Sequence, residues 1–333
     1  MSLYKRVLGC LALVAVAVPF TADAQWVWTP QTGRWVNVDN LPKETPELQV
    51  EYARSLFLEG DYKKAMNETQ KFEKFYSDTD LADENKFLRG EILMAQGKYL
   101  PAAKEYQQML AAHPDTELYD EAIAKQYEIG DALYEEGQQK LDKRWTIYRK
   151  RPLRRAGEVY AMVVENQPFT PQAAEAQYKI GLTQHTRKNY TEAAFEYRRV
   201  VEDYGGSEWV DDASFGLASA YYEQSLPPEY DQTPSELAIR AIDDFQGMYP
   251  ADERNPDLAD KRKQMRDKIA AQRLQTAQYY EKRREFQSAK IYYNVVAEEY
   301  SDTAAADQAR EWLAQYEHIN PLPYDHLDAE DLQ

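Results

Sequence analysis

The side chains best suited to bind a metal or move a proton in this chain are its four histidines, His113, His185, His318 and His326. Their spacing argues against both roles. They fall in a turn, a helix and the C-terminal tail, and none stands in a pattern such as His-Glu-x-x-His, which sets two imidazoles on one helix face. The acid pairs Asp211-Asp212 and Asp243-Asp244 have the right chemistry for general acid–base work. Paired carboxylates are, however, ordinary on the solvated side of an amphipathic helix. No Gly-x-Ser-x-Gly elbow, phosphate loop or dinucleotide fingerprint occurs. Cys10, the single cysteine, lies in the apolar N-terminal stretch. A processed chain would lack a thiol, which removes disulfides, cysteine metal sites and cysteine nucleophiles. The sequence thus predicts no catalytic, cofactor-binding or metal-ligating residues and no enzyme activity.

A second kind of chemistry is concentrated in QQKLDKRWTIYRKRPLRR, where Lys140, Lys143, Arg144, Arg149, Lys150, Arg151, Arg154 and Arg155 face only Asp142. Trp145, Ile147 and Tyr148 are interleaved with these bases. The whole chain carries a formal charge of −17, so this patch opposes its surroundings. One reading is a helix extension whose bases neutralise acidic neighbours. The other is a docking patch for an acidic partner or for lipid headgroups, with Arg144, Trp145, Arg149, Lys150, Arg151, Arg154 and Arg155 as candidate contacts. Nucleic acid is disfavoured by the net charge and by the export signal described below.

The elements that would position such a patch follow from apolar spacing. In TEAAFEYRRVVEDY, Ala193, Ala194, Tyr197, Val200, Val201 and Tyr204 form one stripe of a helix, with Glu and Arg on the other side. The same offsets return at Ala102, Ala103, Tyr106, Met109 and Leu110, at Ala156, Tyr160, Val163 and Val164, and at Ala289, Tyr293, Val296, Ala297 and Tyr300. Upstream of each stripe lies a second helix with its own small residue: Ala53 precedes Ala65, Gly90 precedes Ala102 and Gly181 precedes Ala193, each by twelve residues. Gly130, Ala218, Ala238 and Ala277 complete the set of small packing residues. Gly or Ala lets two helices approach where a larger side chain would clash.

This pattern resembles the tetratricopeptide repeat. Gly60-Asp61-Tyr62 and Gly97-Lys98-Tyr99 match its turn, and Pro114, Pro168 and Pro250 match its stop. The expected fold is all-α, a right-handed solenoid of about six helix pairs over residues 45–317. The spacing of 37 between Ala65 and Ala102, and again between Ala156 and Ala193, predicts helices nearly a turn longer than a 34-residue repeat needs. Gly137, in the place of the turn glycine, stands nineteen residues before Ala156 instead of five, which marks the basic stretch as an insertion. Repeat five is interrupted by SLPPEYDQT before an expected capping box at Thr233-Pro234-Ser235-Glu236. Asn255 to Lys282 reads as one long charged helix and Thr303 to Tyr316 as a terminal capping helix, while 318–333 has the composition of an acidic disordered tail.

Ahead of the repeats, residues 1–24 read as an export signal: Lys5 and Arg6, the apolar run Val7 to Phe20, then Ala22-Asp23-Ala24. Val7-Leu8-Gly9-Cys10 loosely resembles a lipid-attachment box, but most of the apolar run follows the cysteine, so the expected mature chain starts at Gln25 without lipid. No second hydrophobic span is present, and the predicted location is the periplasm. Residues 25–44 hold Trp26, Trp28 and Trp35, and WVW and RWV flank Thr-Pro-Gln-Thr-Gly as in a small β-hairpin. Three readings stand for it: a cap folded over the first repeat, a partner-binding tag, or disorder.

A more specific resemblance lies in the second half. AYYEQSLPPEYDQTPSELAIRAIDDFQGMYP and TAQYYEKRREFQSAKIYYNVVAEEYSDTAAADQA are similar to the BamD family, the tetratricopeptide component of the outer-membrane β-barrel assembly machinery. Asp231-Gln232 ahead of a helix with Ala238-Ile239 and Phe245, and Ala277-Gln278-Tyr279-Tyr280 before the last repeat, carry it. The resemblance extends over about Glu47 to Ala314 and is specific over Ala218 to Ala309. It implies a periplasmic scaffold with protein partners, namely the barrel-inserting subunit and unfolded barrel precursors. The alternative is a soluble scaffold coordinating cell-wall synthesis or envelope constriction, like the periplasmic repeat protein of the Tol-Pal system.

Overall fold

The computed structural model describes residues 26–29, 34–37, 40–141 and 150–319. The expected export signal at 1–24 and most of the expected acidic tail at 318–333 lie outside these residues. The chain divides into two compact units, one up to Ala82 and one from Asp83.

The first unit opens with the expected hairpin: β1 (Trp26–Thr29) pairs antiparallel with β2 (Arg34–Asn37), placing Trp28 opposite Trp35 and Trp26 opposite Asn37. Helix α1 (Pro46–Leu58) starts as its residues dictate, with the Thr45 side chain accepting from the Leu48 amide at 3.4 Å and a proline in the first turn. The turn into α2 (Tyr62–Phe75) uses Gly60 at φ +81°. Val50, Phe72 and Ala82 form the local core, and the buried Gln49 amide donates to Glu68 O at 2.9 Å and Glu68 Oε2 at 2.8 Å.

The second unit pairs α3 (Ala82–Ala95) with α4 (Tyr99–Ala112), α5 (Tyr119–Leu141) with α6 (Arg151–Asn166), and α7 (Pro171–Thr186) with α8 (Tyr190–Asp203). It continues with α9 (Val210–Gln224) and α10 (Thr233–Met248), then α11 (Asn255–Lys282) and α12 (Phe286–Glu299), and ends on α13 (Ala304–Gln315). Among the described residues the second unit thus has five helix pairs and a terminal helix and the first unit has one pair, an all-α tetratricopeptide-like fold. The small packing residues Ala53, Ala65, Gly90, Ala102, Gly130, Ala156, Gly181, Ala193, Ala218, Ala238, Ala277 and Ala289 are all buried.

The glycines do what their spacing implied. A Cβ on Gly90 would lie 2.4 Å from the Tyr106 ring, on Gly130 2.6 Å from Tyr160, and on Gly181 2.7 Å from Tyr197. Each tyrosine therefore fills the space its glycine leaves open. The turn that Gly60 and Gly97 make with positive φ is made elsewhere by Lys188 (φ 65°) and Arg284 (φ 62°), against the steric preference of residues with a Cβ. Trp312 of α13 stacks on Tyr293 at 4.3 Å and covers the last repeat, as a solenoid end requires.

Three local expectations are corrected. Helices α2, α3 and α4 have 14 residues each, and the added length between Ala65 and Ala102 falls in the connector 76–81; between Ala156 and Ala193, α6 and α7 do lengthen, to 16 residues each. Gly137 is inside α5 rather than at a turn, because Leu153 of α6 lies against it, 2.5 Å from where a Cβ would sit. The box at 233–236 is displaced: Thr233 is the first helical residue, and Asp231 Oδ1 accepts from its amide at 3.0 Å and its hydroxyl at 2.8 Å.

The start of α11 is fastened by Arg254, whose guanidinium reaches Asp252 at 2.8 Å, Asp212 at 2.5 Å and Asp211 at 3.4 Å and lies over the rings of Phe215 and Phe245. Hydrogen bonds from the Arg254 side chain and amide hold the Asp252 carboxyl down to about 2 from its ordinary 3.8. A depressed carboxylate stabilises the fold above its unfolded pKa, and that contribution disappears as pH falls from about 4 through about 2. Thermal melts across that window should therefore fall in wild type and fall less steeply in Asp252→Asn. Equal slopes in the two proteins would mean the pair does not couple to folding.

Candidate functional site

The interruption in repeat five builds one wall of a cleft in the second unit. Helix α9 ends at Gln224, Ser225 turns extended (φ −63°, ψ 131°), and two prolines carry the chain out to Tyr230. Pro cannot continue the helix, and its fixed φ keeps the loop open. Gln232 then draws the loop back. It is only 3% exposed, and its side-chain amide donates to Pro227 O at 2.9 Å and Tyr230 O at 3.0 Å while its oxygen accepts from Ser235 Oγ at 2.8 Å. The chain of polar contacts continues through Ser225 Oγ, 2.7 Å from Ser235 Oγ, to Lys268 Nζ of α11 at 2.9 Å. Burial pushes the Lys268 amine below its usual range, opposed by the charge of Glu223.

Between this loop and helices α10, α11 and α12 lies an open cleft of about 920 Å³. A second cavity of about 360 Å³ adjoins it along α11, sharing Gln272 and Thr276. Arg240, Arg266 and Arg273 line the larger part beside Asp231 and Glu236, in a chain of net charge −17. Arg266 is already engaged, with Asp302 at 2.6 Å and Glu299 O at 2.8 Å. Tyr292 stacks on Tyr280 at 5.2 Å, and Tyr279 lies 53% exposed at the far end, its hydroxyl taking a 2.7 Å bond from Arg283. Burial raises the Tyr300 hydroxyl pKa, and the nearby Arg273 and Arg266 charges pull it the other way.

The lining of the cleft is polar and aromatic. It offers cations, amides, hydroxyls and flat rings, the groups that hold an extended peptide. Among the described residues no group of three His, Cys, Asp or Glu could hold a metal ion, and no helix is long and apolar enough to cross a membrane. His185 is embedded beside Tyr190 and Tyr197, and burial lowers its pKa.

The basic stretch singled out in the sequence is elsewhere in the unit. Arg144, Trp145 and Arg149 lie outside the described residues. Lys150 is the N-cap of α6 and Arg151, Arg154 and Arg155 follow in its opening residues, with no acid in the first turn. Cations at a helix N-terminus oppose the helix dipole, so this placement does not serve helix stability. Arg154 pairs with Glu158 at 3.0 Å, an exposed pair of small energetic weight, and Lys150 donates to the Arg187 carbonyl. Sequence reasoning found Asp231, Gln232, Ile239, Tyr279 and Tyr280 as family motif residues, but missed that the first three line the cleft and the last two the adjoining cavity. It also missed Arg240, Arg266 and Arg273, whose only signal was the loop inserted between two repeat helices.

A family model described as "YfiO: Outer membrane lipoprotein" matches residues 128–321, more than half of the chain and all of the cleft. The outer membrane protein assembly factor BamD of Caulobacter vibrioides is 23% identical over 180 residues. That alignment covers 54% of this chain and 56% of the relative, so the chain spans about half the length of the curated relative it matches. Among solved structures, a thermophilic TPR protein of Thermus thermophilus is 13% identical, covering 66% of this chain and 98% of that one, with a TM-score of 0.31. A tetratricopeptide repeat protein of Parabacteroides merdae is 16% identical, covering 80% of this chain and 98% of its own, also at 0.31.

Proposed function

The chain belongs to the YfiO family of outer membrane lipoproteins, and on that premise we propose that it is a non-catalytic scaffold in the assembly of outer-membrane β-barrel proteins. In this reading it works in the periplasm, held at the outer membrane through its partners. The cleft beside α11 docks an extended segment of the barrel-inserting subunit, and the earlier repeats stay open to unfolded barrel precursors. The supporting observation is that Asp231, Gln232 and Ile239 of the family resemblance line the cleft, and Tyr279 and Tyr280 line the cavity that adjoins it. The bases at the start of α6 steer an acidic surface toward it, an effect that salt should weaken.

Affinity capture from envelopes tests this. Wild type should retain the barrel-inserting subunit, and Arg240→Glu with Arg273→Glu should reduce capture by roughly ten-fold or more while helical circular dichroism is kept. Capture unaffected by the reversal removes the cleft from the interaction. Retention of a peptidoglycan synthase or a Tol component in place of the barrel subunit would favour the envelope-constriction reading.

A further inference from the structure

The repeats leave one aromatic surface unaccounted for. Cross-strand partners in a hairpin share a face, as do residues two apart on one strand. The register Trp28↔Trp35 and Trp26↔Asn37 therefore gathers Trp26, Trp28 and Trp35 on a single side. They are 57%, 50% and 66% exposed. A hairpin capping the first repeat through its tryptophans would bury them, so that expectation is not met by these side chains.

We propose that this tryptophan face docks on a lipid–water interface, holding the N-terminal end of the chain against a membrane surface. Four observations favour lipid over other occupants. Indole combines a broad apolar ring with one N–H donor, which suits the headgroup layer better than either water or hydrocarbon. The segment 25–44 is neutral, with Arg34 and Lys43 against Asp39 and Glu44, so the acidity of the whole chain does not repel it locally from anionic lipid. The hairpin is the first described element after the apolar run Val7 to Phe20, and the family is one of outer membrane lipoproteins. A sugar-binding platform, in contrast, needs several polar groups to direct hydroxyls beside its rings, and among the described strand residues this face supplies Asn37 alone. The inference draws on family membership for its membrane setting but not on the cleft.

The test uses the exported protein carrying Cys10→Ser, so that no acyl chain contributes, and vesicles of phosphatidylethanolamine and phosphatidylglycerol. The protein should co-float with the vesicles, and brominated lipid should quench its native tryptophan emission. Trp26→Ser, Trp28→Ser and Trp35→Ser together should reduce flotation on the order of ten-fold or more, with thermal stability kept because these rings are exposed. No quenching of the unaltered hairpin, or equal flotation of the triple variant, overturns the proposal without touching the cleft. Retention on peptidoglycan sacculi with none on vesicles overturns it in favour of a glycan platform. Loss of partner capture with flotation intact would instead count against the scaffold reading alone.

Discussion

Gly181→Ala is expected to destabilise the protein by about 1–3 kcal/mol, toward the upper end of that range, although it adds a single methyl group to a helix that ordinarily prefers alanine. On an exposed helix the same change would stabilise by up to about 1 kcal/mol. The sign reverses because of Tyr197. Its ring is 1% exposed and lies between two glycines, 2.7 Å from a Cβ built on Gly181 of α7 and 2.8 Å from one built on Gly216 of α9. A ring pushed away from one helix meets the other, so no rotation clears both, and the helices themselves must separate. Tyr197→Leu in the same chain should recover most of the loss, since the shorter side chain vacates the contact. Chemical denaturation of the two single variants and the double variant gives the coupling directly. A Gly181→Ala protein as stable as wild type would mean that the α7–α8 contact is looser than the ring positions imply.

How much of this was legible beforehand divides along the range of the interaction. Gly181 and Tyr197 lie on adjacent helices, so their pairing shows as a repeated spacing, and the same holds for Gly90 with Tyr106. The Thr45 cap and the limits of α11 were likewise written in neighbouring residues. Errors came where a local signal competed with a contact from farther along. Gly137 looked like a turn residue until Leu153 used its bare Cα as a packing surface. Thr233 looked like an N-cap, but Asp231 satisfies its amide and Gln232 occupies the cap position. The cleft lay beyond such reading altogether. Arg240, Arg266 and Arg273 come from two helices of different repeats, on stripes that periodicity assigns simply to the polar side.

The second large effect is expected at Gln232. Gln232→Ala should cost roughly 2–3 kcal/mol, because it withdraws the donor from the Pro227 carbonyl, one of two donors from Tyr230 O and the acceptor of Ser235 Oγ, in a place water barely reaches. The consequence is directional. Hydrogen exchange should quicken over 225–236 while α1 and α2 are unchanged, and partner capture should weaken because the wall of the cleft has lost its fixed position. Gln232→Glu separates the hydrogen bonds from the packing. Its ionised carboxylate would face two carbonyl oxygens that need a donor, so the variant should be worse than alanine at neutral pH. On acidification the neutral carboxyl regains one donor, and the deficit relative to wild type should shrink below about pH 5. A Gln232→Glu protein whose deficit is independent of pH would show that the carboxamide fills space rather than fastening the loop, and the cleft would then owe its shape to the prolines alone.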